Sequence, residues 1–198
     1  MKTAAIILAG GFSSRMGSDK ALLDLGGQPV IERIVSSYQA AGIERIIVVT
    51  GQNHAALAQL CLPVVLVQNP MPEQGMFSSI QTGVAALEPA VDAFFVQPVD
   101  IPLVSSVTLS NLMAALQQNS VVDVVIPVFR CKRGHPPLLR RQQLAGAILA
   151  YNGTDGLRGL LSRYAVVELP VNDQGVLLGM NTPQQYEELQ RYLANILF

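Results

Sequence analysis

Short hydrophobic runs alternate with amphipathic stretches along the first two thirds of the chain. An apolar run bounded by glycine or polar residues predicts a strand buried on both faces. Such runs predict strands at 4–8, 45–50, 64–67, 93–96 and 121–128. The stretches between them gather apolar residues on one face and predict helices at 29–42, 55–60, 74–87 and 107–116.

Beyond residue 130 the pattern is less regular. The elements predicted there are a polar loop at 130–135, helices at 141–150 and 156–164, and β pieces at 166–169 and 176–178. A last helix is expected to begin at Pro183, with Thr182 as its N-cap. Its apolar stripe is spaced to pack back on the domain.

This alternation of strands and helices predicts an α/β fold with a mostly parallel sheet, right-handed crossovers and helices on both faces. In such sheets, ligands bind at the carboxyl ends of the strands, near the switch in strand order. Residues 10–11, Thr50, Asn69 and Asp100 all come directly after predicted strands. We therefore expect these residues to share one rim of the sheet.

Composition limits the classes of function. The chain has 198 residues, of which 50% are hydrophobic and 14% charged, which suits one α/β domain over 1–198. A net charge of −1 provides no field that would gather nucleic acid or an acidic membrane. Cys61 and Cys131 lack metal-ligand spacing, as expected of thiols in a reducing compartment. With neither a signal-peptide pattern nor a run of membrane-spanning length, we expect a cytoplasmic protein.

The segment after the first strand, IILAGGFSSRMGSDK at 6–20, carries the clearest candidate chemistry. Gly10 and Gly11 let the backbone approach a ligand that any Cβ would block. Amides of 10–14 can then point at an anion, while Arg15 and Lys20 supply positive charge. The segment matches neither common phosphate-binding motif, and a Gly-Gly pair alone is often only a tight turn. The whole string nevertheless favours a polyphosphate site.

Asp100 stands between Pro98 and Pro102, which hold the backbone extended. A carboxylate fixed at a strand end beside a phosphate loop suits Mg²⁺, although closing a turn is the competing role for this aspartate. The amide carbonyl of Asn181 could give a second oxygen, or Asn181 could simply cap the following helix. His54 and His135 have no acidic neighbour in sequence with which to form a nucleophilic triad. Catalysis by positioning and charge stabilisation fits this inventory better.

The first motif, LAGGFSSRMGSDKALLDLGGQPVIERIV, resembles the signature of the molybdenum-cofactor guanylyl- and cytidylyltransferases, within the wider family of NTP transferases. Similar family segments follow in the expected order: QGMFSSIQTGV (74–84), PVDIP (98–102), GHPPLL (134–139) and GMNTPQQYEEL (179–189). The resemblance implies a Rossmann-like three-layer nucleotidyltransferase fold. It also implies Mg²⁺ as cofactor, with Mn²⁺ as an alternative.

The resemblance implies a role for each matching position. Arg15 and Lys20 would be the catalytic cations. The nucleotide would be bound by Leu8, Ala9, Gly10, Gly11, Arg15, Lys20, Thr50, Asn69 and Asp100. Asp100 and Asn181 would hold the metal. The acceptor would be faced by Met76, Ser78, Ser79 and His135, although simple helix capping is equally open for Ser78 and Ser79.

The resembling segments do not agree on which nucleotide is transferred. LAGG and the asparagine of GMN are features of the guanylyl branch, whereas GMFSS and GHPPLL are features of the cytidylyl branch. The balance favours CTP over GTP. The implied reaction transfers a nucleotide to molybdopterin and releases pyrophosphate. A molybdoenzyme or its insertion chaperone would be a further partner.

The sequence is also compatible with two other functions. One is nucleotidyl transfer to a sugar phosphate or another phosphate acceptor, although GGFSSRMG differs from the loop usual in sugar-phosphate enzymes. The other is a nucleotide- or cofactor-binding module without turnover, against which the presence of Arg15, Lys20 and Asp100 argues.

Overall fold

One eight-stranded sheet organises the computed structural model, which describes residues 1–11 and 19–197. The strands are β1 (Thr3–Leu8), β2 (Arg45–Thr50), β3 (Val65–Gln68), β4 (Ala93–Pro98), β5 (Val124–Phe129), β6 (Lys132–Arg133), β7 (Leu138–Arg140) and β8 (Val166–Pro170). Their order is β3-β2-β1-β4-β7-β5-β6, and β8 pairs with β5.

The two halves of the sheet differ in strand direction. β1 pairs in parallel with β2 and β4, and β2 pairs in parallel with β3. β7 is antiparallel to both β4 and β5, β6 is antiparallel to β5, and β8 is parallel to β5. The chain runs from β1 outward to β3 and then returns to the other side of β1 with β4. The switch in strand order therefore lies between β1 and β4.

Helices cover both faces of the sheet. They are α1 (Val30–Ala40), α2 (His54–Ala58), α3 (Met76–Ala85), α4 (Ser106–Gln118), α5 (Arg141–Ala150), α6 (Gly156–Leu161) and α7 (Pro183–Leu197). Buried residues of α1, α4 and α7 form one core with Ala5 and Ile7 of β1. Those of α3, α5 and α6 form the other core with Ala4 and Ile6. The predicted α/β fold with helices on both faces is confirmed.

Central strands take this form because β-branched and aromatic side chains can be buried on both faces at once. Every residue of β4 is buried, including Phe94 and Phe95, which are fully inaccessible. The predicted cap of the last helix is also present, since the hydroxyl of Thr182 accepts a hydrogen bond from Gln185 N at 3.2 Å. That helix packs Leu189 and Leu193 into the core.

Two predictions about the second half of the chain were wrong, and one strand was missed. The loop predicted at 130–135 contains β6, which pairs back on β5 after a tight turn. β7 was not predicted at all, because three residues behind two prolines carry no periodicity. The β piece predicted at 176–178 falls largely in a 3₁₀ turn, Gln174–Leu177. The Asp173 carboxylate accepts from Gly175 N at 2.9 Å and favours that turn over a strand.

Within the described ranges, the helices lack the combination of length and apolar character that would let one cross a bilayer.

Two helical glycines offer a paired test of packing on the sheet. A Cβ at Gly83 in α3 would overlap the side chain of Ile6, whereas one at Gly146 in α5 would have no atom within 4 Å. We expect Gly83→Ala to lower the free energy of unfolding by about 1–3 kcal/mol through overpacking. Gly146→Ala should raise it by up to about 1 kcal/mol through helix propensity. Urea denaturation measures both, and shifts of the same sign would contradict the close approach of α3 to β1.

Candidate active site

A cleft of about 360 Å³ opens at the carboxyl ends of β1 and β4, where the strand order switches. These strands end level with each other, because Leu8 pairs with Pro98. The cleft brings together most of the predicted site residues, namely Leu8, Ala9, Gly10, Gly11, Lys20, Met76, Ser79, Asp100 and Asn181. It is also lined by residues that were not predicted, namely Asp19, Pro72, Gly75, Pro98 and Val99.

Lys20, Asp100 and Asn181 form a polar cluster on one side of the cleft. Lys20 Nζ donates to Asn181 Oδ1 at 2.8 Å and lies 3.8 Å from Asp100 Oδ2. Both charged side chains are largely covered, with 16% of the lysine and 24% of the aspartate exposed. Water screens such a pair less than a surface pair. The predicted proximity of Asp100 and Lys20 is present.

Backbone hydrogen bonds fix the segments that carry this cluster. Val99 N donates to Leu8 O at 3.2 Å and ties the Asp100 loop to the end of β1. Met180 N donates to Asp100 O at 2.9 Å and ties that loop to the segment before α7. Asn181 N donates to the Gln185 side chain at 2.7 Å, at the capped start of α7. The two oxygen-bearing side chains therefore sit on rigidly joined loops.

The glycine loop, which begins with Gly10 and Gly11 after β1, contacts the end of β2 through Gly10. A Cβ at Gly10 would fall 2.9 Å from Gly51 N, and one at Gly51 would fall 2.6 Å from Gly10 O. Asn53 bridges the two segments, accepting from Gly51 N at 3.0 Å and donating to Ala9 O at 2.8 Å. Glycine is required at both positions because the two backbones touch. The contact holds Ala9 and Gly10 at the edge of the cleft that they line.

Thr50, Asn69 and Ser78 do not reach the cleft lining. Thr50 is fully buried and its hydroxyl bonds to His54 Nδ1 at 2.8 Å. Asn69 donates to Ser78 Oγ at 2.8 Å and to Ser79 Oγ at 3.0 Å, behind the cleft wall. Ser78 Oγ donates to carbonyls of the turn before α3. The structure therefore gives all three a supporting position, not a direct contact with the cleft.

The amino end of α3 forms the opposite wall of the cleft. Met76, its first residue, is 64% exposed at the mouth, and Ser79 lies one turn further in. Gly75 precedes the helix with φ +87° and provides no side-chain cap. Gly75 as N-cap therefore makes no side-chain hydrogen bond to the first amides of the helix. Helix amides together with the Ser79 hydroxyl make this wall suitable for an anionic group.

His135 is exposed and does not line the cleft, but its imidazole lies near Asp100. Neighbouring atoms remove part of its hydration, which lowers the pKa of its imidazole below 6.5, while the negative charge of Asp100 opposes that shift. Its backbone is held by His135 N donating to Val176 O at 2.9 Å. Gly134 beside it has no room for a Cβ, which would lie 2.6 Å from that same carbonyl oxygen.

Arg15, the other predicted cation, lies outside the described residues.

The oxygens of Asp100 and Asn181 fit a hard divalent cation, because both already face one positive group, the Lys20 ammonium. Among the described residues, no group of three or more His, Cys, Asp and Glu side chains could hold a metal alone. Substrate phosphates and water would have to complete the coordination, as is usual for Mg²⁺. The arrangement suits charge stabilisation on a polyphosphate.

Sequence reasoning missed the residues that support the site from behind. Gly51 and Asn53 follow β2 directly, so their position after a strand was the available signal. Gln97 is buried within β4, and nothing in an apolar strand pattern distinguishes its role. These residues act through contacts with segments that are distant in sequence.

The His135 pKa provides a test of this geometry in the metal-free protein. Asp100→Asn removes the attraction that favours imidazolium, so the pKa of His135 should fall further, as followed by NMR titration of the imidazole protons. The variant Asp123→Asn, at the other end of the strands, should leave it unchanged. An unaltered His135 pKa in Asp100→Asn would contradict the proximity.

The lowered pKa also sets the direction of a pH effect on stability. The folded state favours neutral His135, so the unfolded chain binds more protons at acidic pH. The contribution of His135 to stability is therefore complete above 6.5 and is lost as the pH falls through the folded pKa.

Comparison with known proteins agrees with this fold. A protein from Synechococcus elongatus named "Probable molybdenum cofactor guanylyltransferase" is 32% identical, covering 96% of this chain and 99% of the relative. A molybdenum cofactor guanylyltransferase from Xanthomonas euvesicatoria is 28% identical over 93% of this chain and 92% of its own.

Solved structures show the same architecture. A nucleotidyl transferase from Methanothermobacter superposes with a TM-score of 0.83 at 22% identity, covering 98% of both chains. A Mycobacterium tuberculosis protein solved in complex with manganese gives 0.76 at 21% identity, covering 96% of this chain and 99% of its own. Residues 5–168 match the MobA-like NTP transferase domain. The chain belongs to that family and is a nucleotidyltransferase.

Proposed function

We propose that this chain, acting as one domain over 1–198, transfers GMP from GTP to a molybdopterin-type acceptor and releases pyrophosphate. The observation that carries the proposal is the cluster in which Lys20 Nζ lies 2.8 Å from Asn181 Oδ1 and 3.8 Å from Asp100 Oδ2, beside the glycine loop. Phosphoryl-type transfer depends mainly on positioning and charge stabilisation. A cleft with backbone amides, an ammonium and a carboxylate supplies those elements.

In the proposed reaction an oxygen of the acceptor's phosphate attacks the α-phosphorus of GTP. The bond from that phosphorus to the oxygen bridging to the β-phosphate breaks, and pyrophosphate leaves with the electron pair. Lys20, joined in the proposal by Arg15, stabilises the negative charge that develops on the phosphates. Amides of Gly10 and Gly11 orient the triphosphate. The attacking group belongs to the substrate, so no protein nucleophile is needed.

Asp100 and Asn181 would hold the divalent cation, with Mg²⁺ proposed and Mn²⁺ able to replace it. Support comes from the oxygen donors at the cleft and from the manganese complex of the structural neighbour. A bound cation there supplies positive charge to the phosphates. The amide oxygen of Asn181 has two lone pairs, so it can accept from Lys20 and also contact a cation, and the triphosphate would offer the ammonium further partners.

GTP is proposed as the donor because both relatives described above carry the name guanylyltransferase. The preference for CTP drawn from GMFSS and GHPPLL has no support in those names. The LAGG signature and the asparagine at 181 agree with the guanylyl branch.

The acceptor is proposed to enter along the α3 wall. Met76 offers exposed apolar surface at the mouth, and Ser79 offers a hydroxyl beside the helix amides. His135, near Asp100, would approach the acceptor from the other side. Ser78 stabilises this wall, because its hydroxyl donates hydrogen bonds to backbone carbonyls of the preceding turn.

The first test is pyrophosphate release from GTP with molybdopterin and Mg²⁺. Asp100→Asn should lower the rate by at least about 100-fold, since metal charge stabilisation contributes several kcal/mol and about 1.4 kcal/mol is a factor of ten. Asp123→Asn serves as the matched control, because Asp123 accepts from Ala165 N at the opposite end of the sheet. Its rate should equal that of the unsubstituted protein.

The outcomes of this assay are separable. Absence of pyrophosphate with every NTP would overturn the proposed transfer. Calorimetric binding of an NTP without release would favour a binding module instead. Release of pyrophosphate with a sugar phosphate but not with molybdopterin would support nucleotidyl transfer and show that the proposed acceptor is wrong.

The second test concerns the base. A ligand at 100 times its Kd stabilises the folded state by about 2.7 kcal/mol. For a chain of this size that corresponds to a rise in Tm of roughly 5–10 °C. We expect GTP with Mg²⁺ to produce a larger shift than CTP, ATP or UTP at equal concentration. A larger shift with CTP would reverse the base assignment and leave nucleotidyl transfer intact.

A further inference from the structure

A glutamine amide lies buried directly beneath the Asp100 loop. Gln97 is 1% exposed and is the penultimate residue of β4. Its Nε2 donates to Pro98 O at 3.0 Å and to Ile101 O at 2.8 Å. One side-chain amide thus contacts the backbone on both sides of Asp100.

Those two carbonyls mark the ends of a single turn. Ile101 N donates to Pro98 O at 3.2 Å, which closes four residues with Val99 and Asp100 at the centre. The Gln97 amide bonds to this turn from the interior of the domain. On the other side of the turn, Met180 N donates to Asp100 O. The direction in which the Asp100 carboxylate leaves the backbone depends on these bonds.

The orientation of the Gln97 amide is itself fixed. Tyr38 OH, on α1, donates to Gln97 Oε1 at 3.1 Å. Burial raises the pKa of the Tyr38 phenol well above its ordinary value, so the group remains a neutral donor. The ring also packs edge-on against Phe95, with 5.5 Å between centroids. The packed Tyr38 ring and its hydroxyl therefore keep the Gln97 amide in a single orientation within the core.

A residue that only filled the core would not need an amide at this position. Its four predecessors in β4 are apolar, and burying an amide is costly unless it is hydrogen-bonded. The hydrogen bonds of the Gln97 side chain are made with the Asp100 turn and with Tyr38, the residue that orients the Gln97 amide. This concentration of contacts distinguishes Gln97 from a polar residue that is merely tolerated.

We propose that Gln97 is a positioning residue that sets the Asp100 carboxylate for cation and nucleotide binding. The proposal rests on the proposed function, because it assigns Asp100 to the cation. Gln97 does not touch the substrate and acts through the turn. Groups that orient metal ligands in this way typically change metal affinity by about 10- to 100-fold when removed.

The test uses Gln97→Met, which keeps the length of the side chain and removes both donors. Mn²⁺ binding to the full chain with GTP is measured by electron paramagnetic resonance, well below the Tm of each variant. We expect Mn²⁺ affinity to fall about 10- to 100-fold. GTP affinity measured in EDTA should change less than about twofold, since the glycine loop and Lys20 remain.

Gln81→Met is the matched control. Gln81 Nε2 likewise donates to backbone carbonyls, those of Ile148 at 3.1 Å and Tyr151 at 3.0 Å, at the end of α5. Its loss should lower Tm without changing Mn²⁺ affinity. A purely structural role for Gln97 would give the same result in both variants.

If Gln97→Met does not fold, Tyr38→Phe removes only the hydroxyl that orients the amide, and Mn²⁺ affinity should fall several-fold. Unchanged Mn²⁺ affinity in Gln97→Met, or in Tyr38→Phe where only that variant folds, would overturn the positioning role. Failure of the unsubstituted chain to bind Mn²⁺ with GTP would overturn the proposed function, and this inference with it. The two failures are therefore distinguishable.

Discussion

The hydrogen bond from Lys20 to Asn181, with Asp100 alongside, joins three segments that are far apart in sequence. The lysine follows the glycine loop, the aspartate follows β4, and the asparagine precedes α7. Their meeting requires β1 and β4 to be neighbours that end at the same level. That requirement is met because both strands are buried on both faces and cannot shift register without disrupting the packing of both cores.

The rigid sheet also explains how a nearly neutral protein can hold a polyphosphate. With a net charge of −1, attraction has to be local. Partial burial reduces solvent screening, so each charge in the cleft interacts more strongly with a phosphate. Backbone amides add dipoles that carry no net charge. Gly10 and Gly51 touch so closely that the backbone at Gly10 has little freedom before any ligand arrives. Preorganisation of this kind lowers the cost of binding.

Sequence alone predicted the parts governed by local pattern. β2 was predicted residue for residue, because an uninterrupted apolar run has clear ends. Asp100 was found because position after a strand determines which rim a side chain reaches, and Lys20 was found because it is a cation in the segment that follows the first strand. β7 could not be found, because three residues form a strand only by pairing with β4 and β5. Thr50 lies at the end of β2, yet its hydroxyl is bonded to His54, which position alone could not reveal.

Gln97 marks the limit of what pattern can show. Its hydrogen bond to Tyr38 spans 59 residues, and its other bonds reach the backbone of its own loop. In sequence it is one polar residue at the end of an apolar strand, compatible with several roles. In the fold it connects the helix that follows the glycine loop to the turn that carries Asp100. A single buried amide therefore links α1 to the turn that carries Asp100, a contact that no local sequence pattern records.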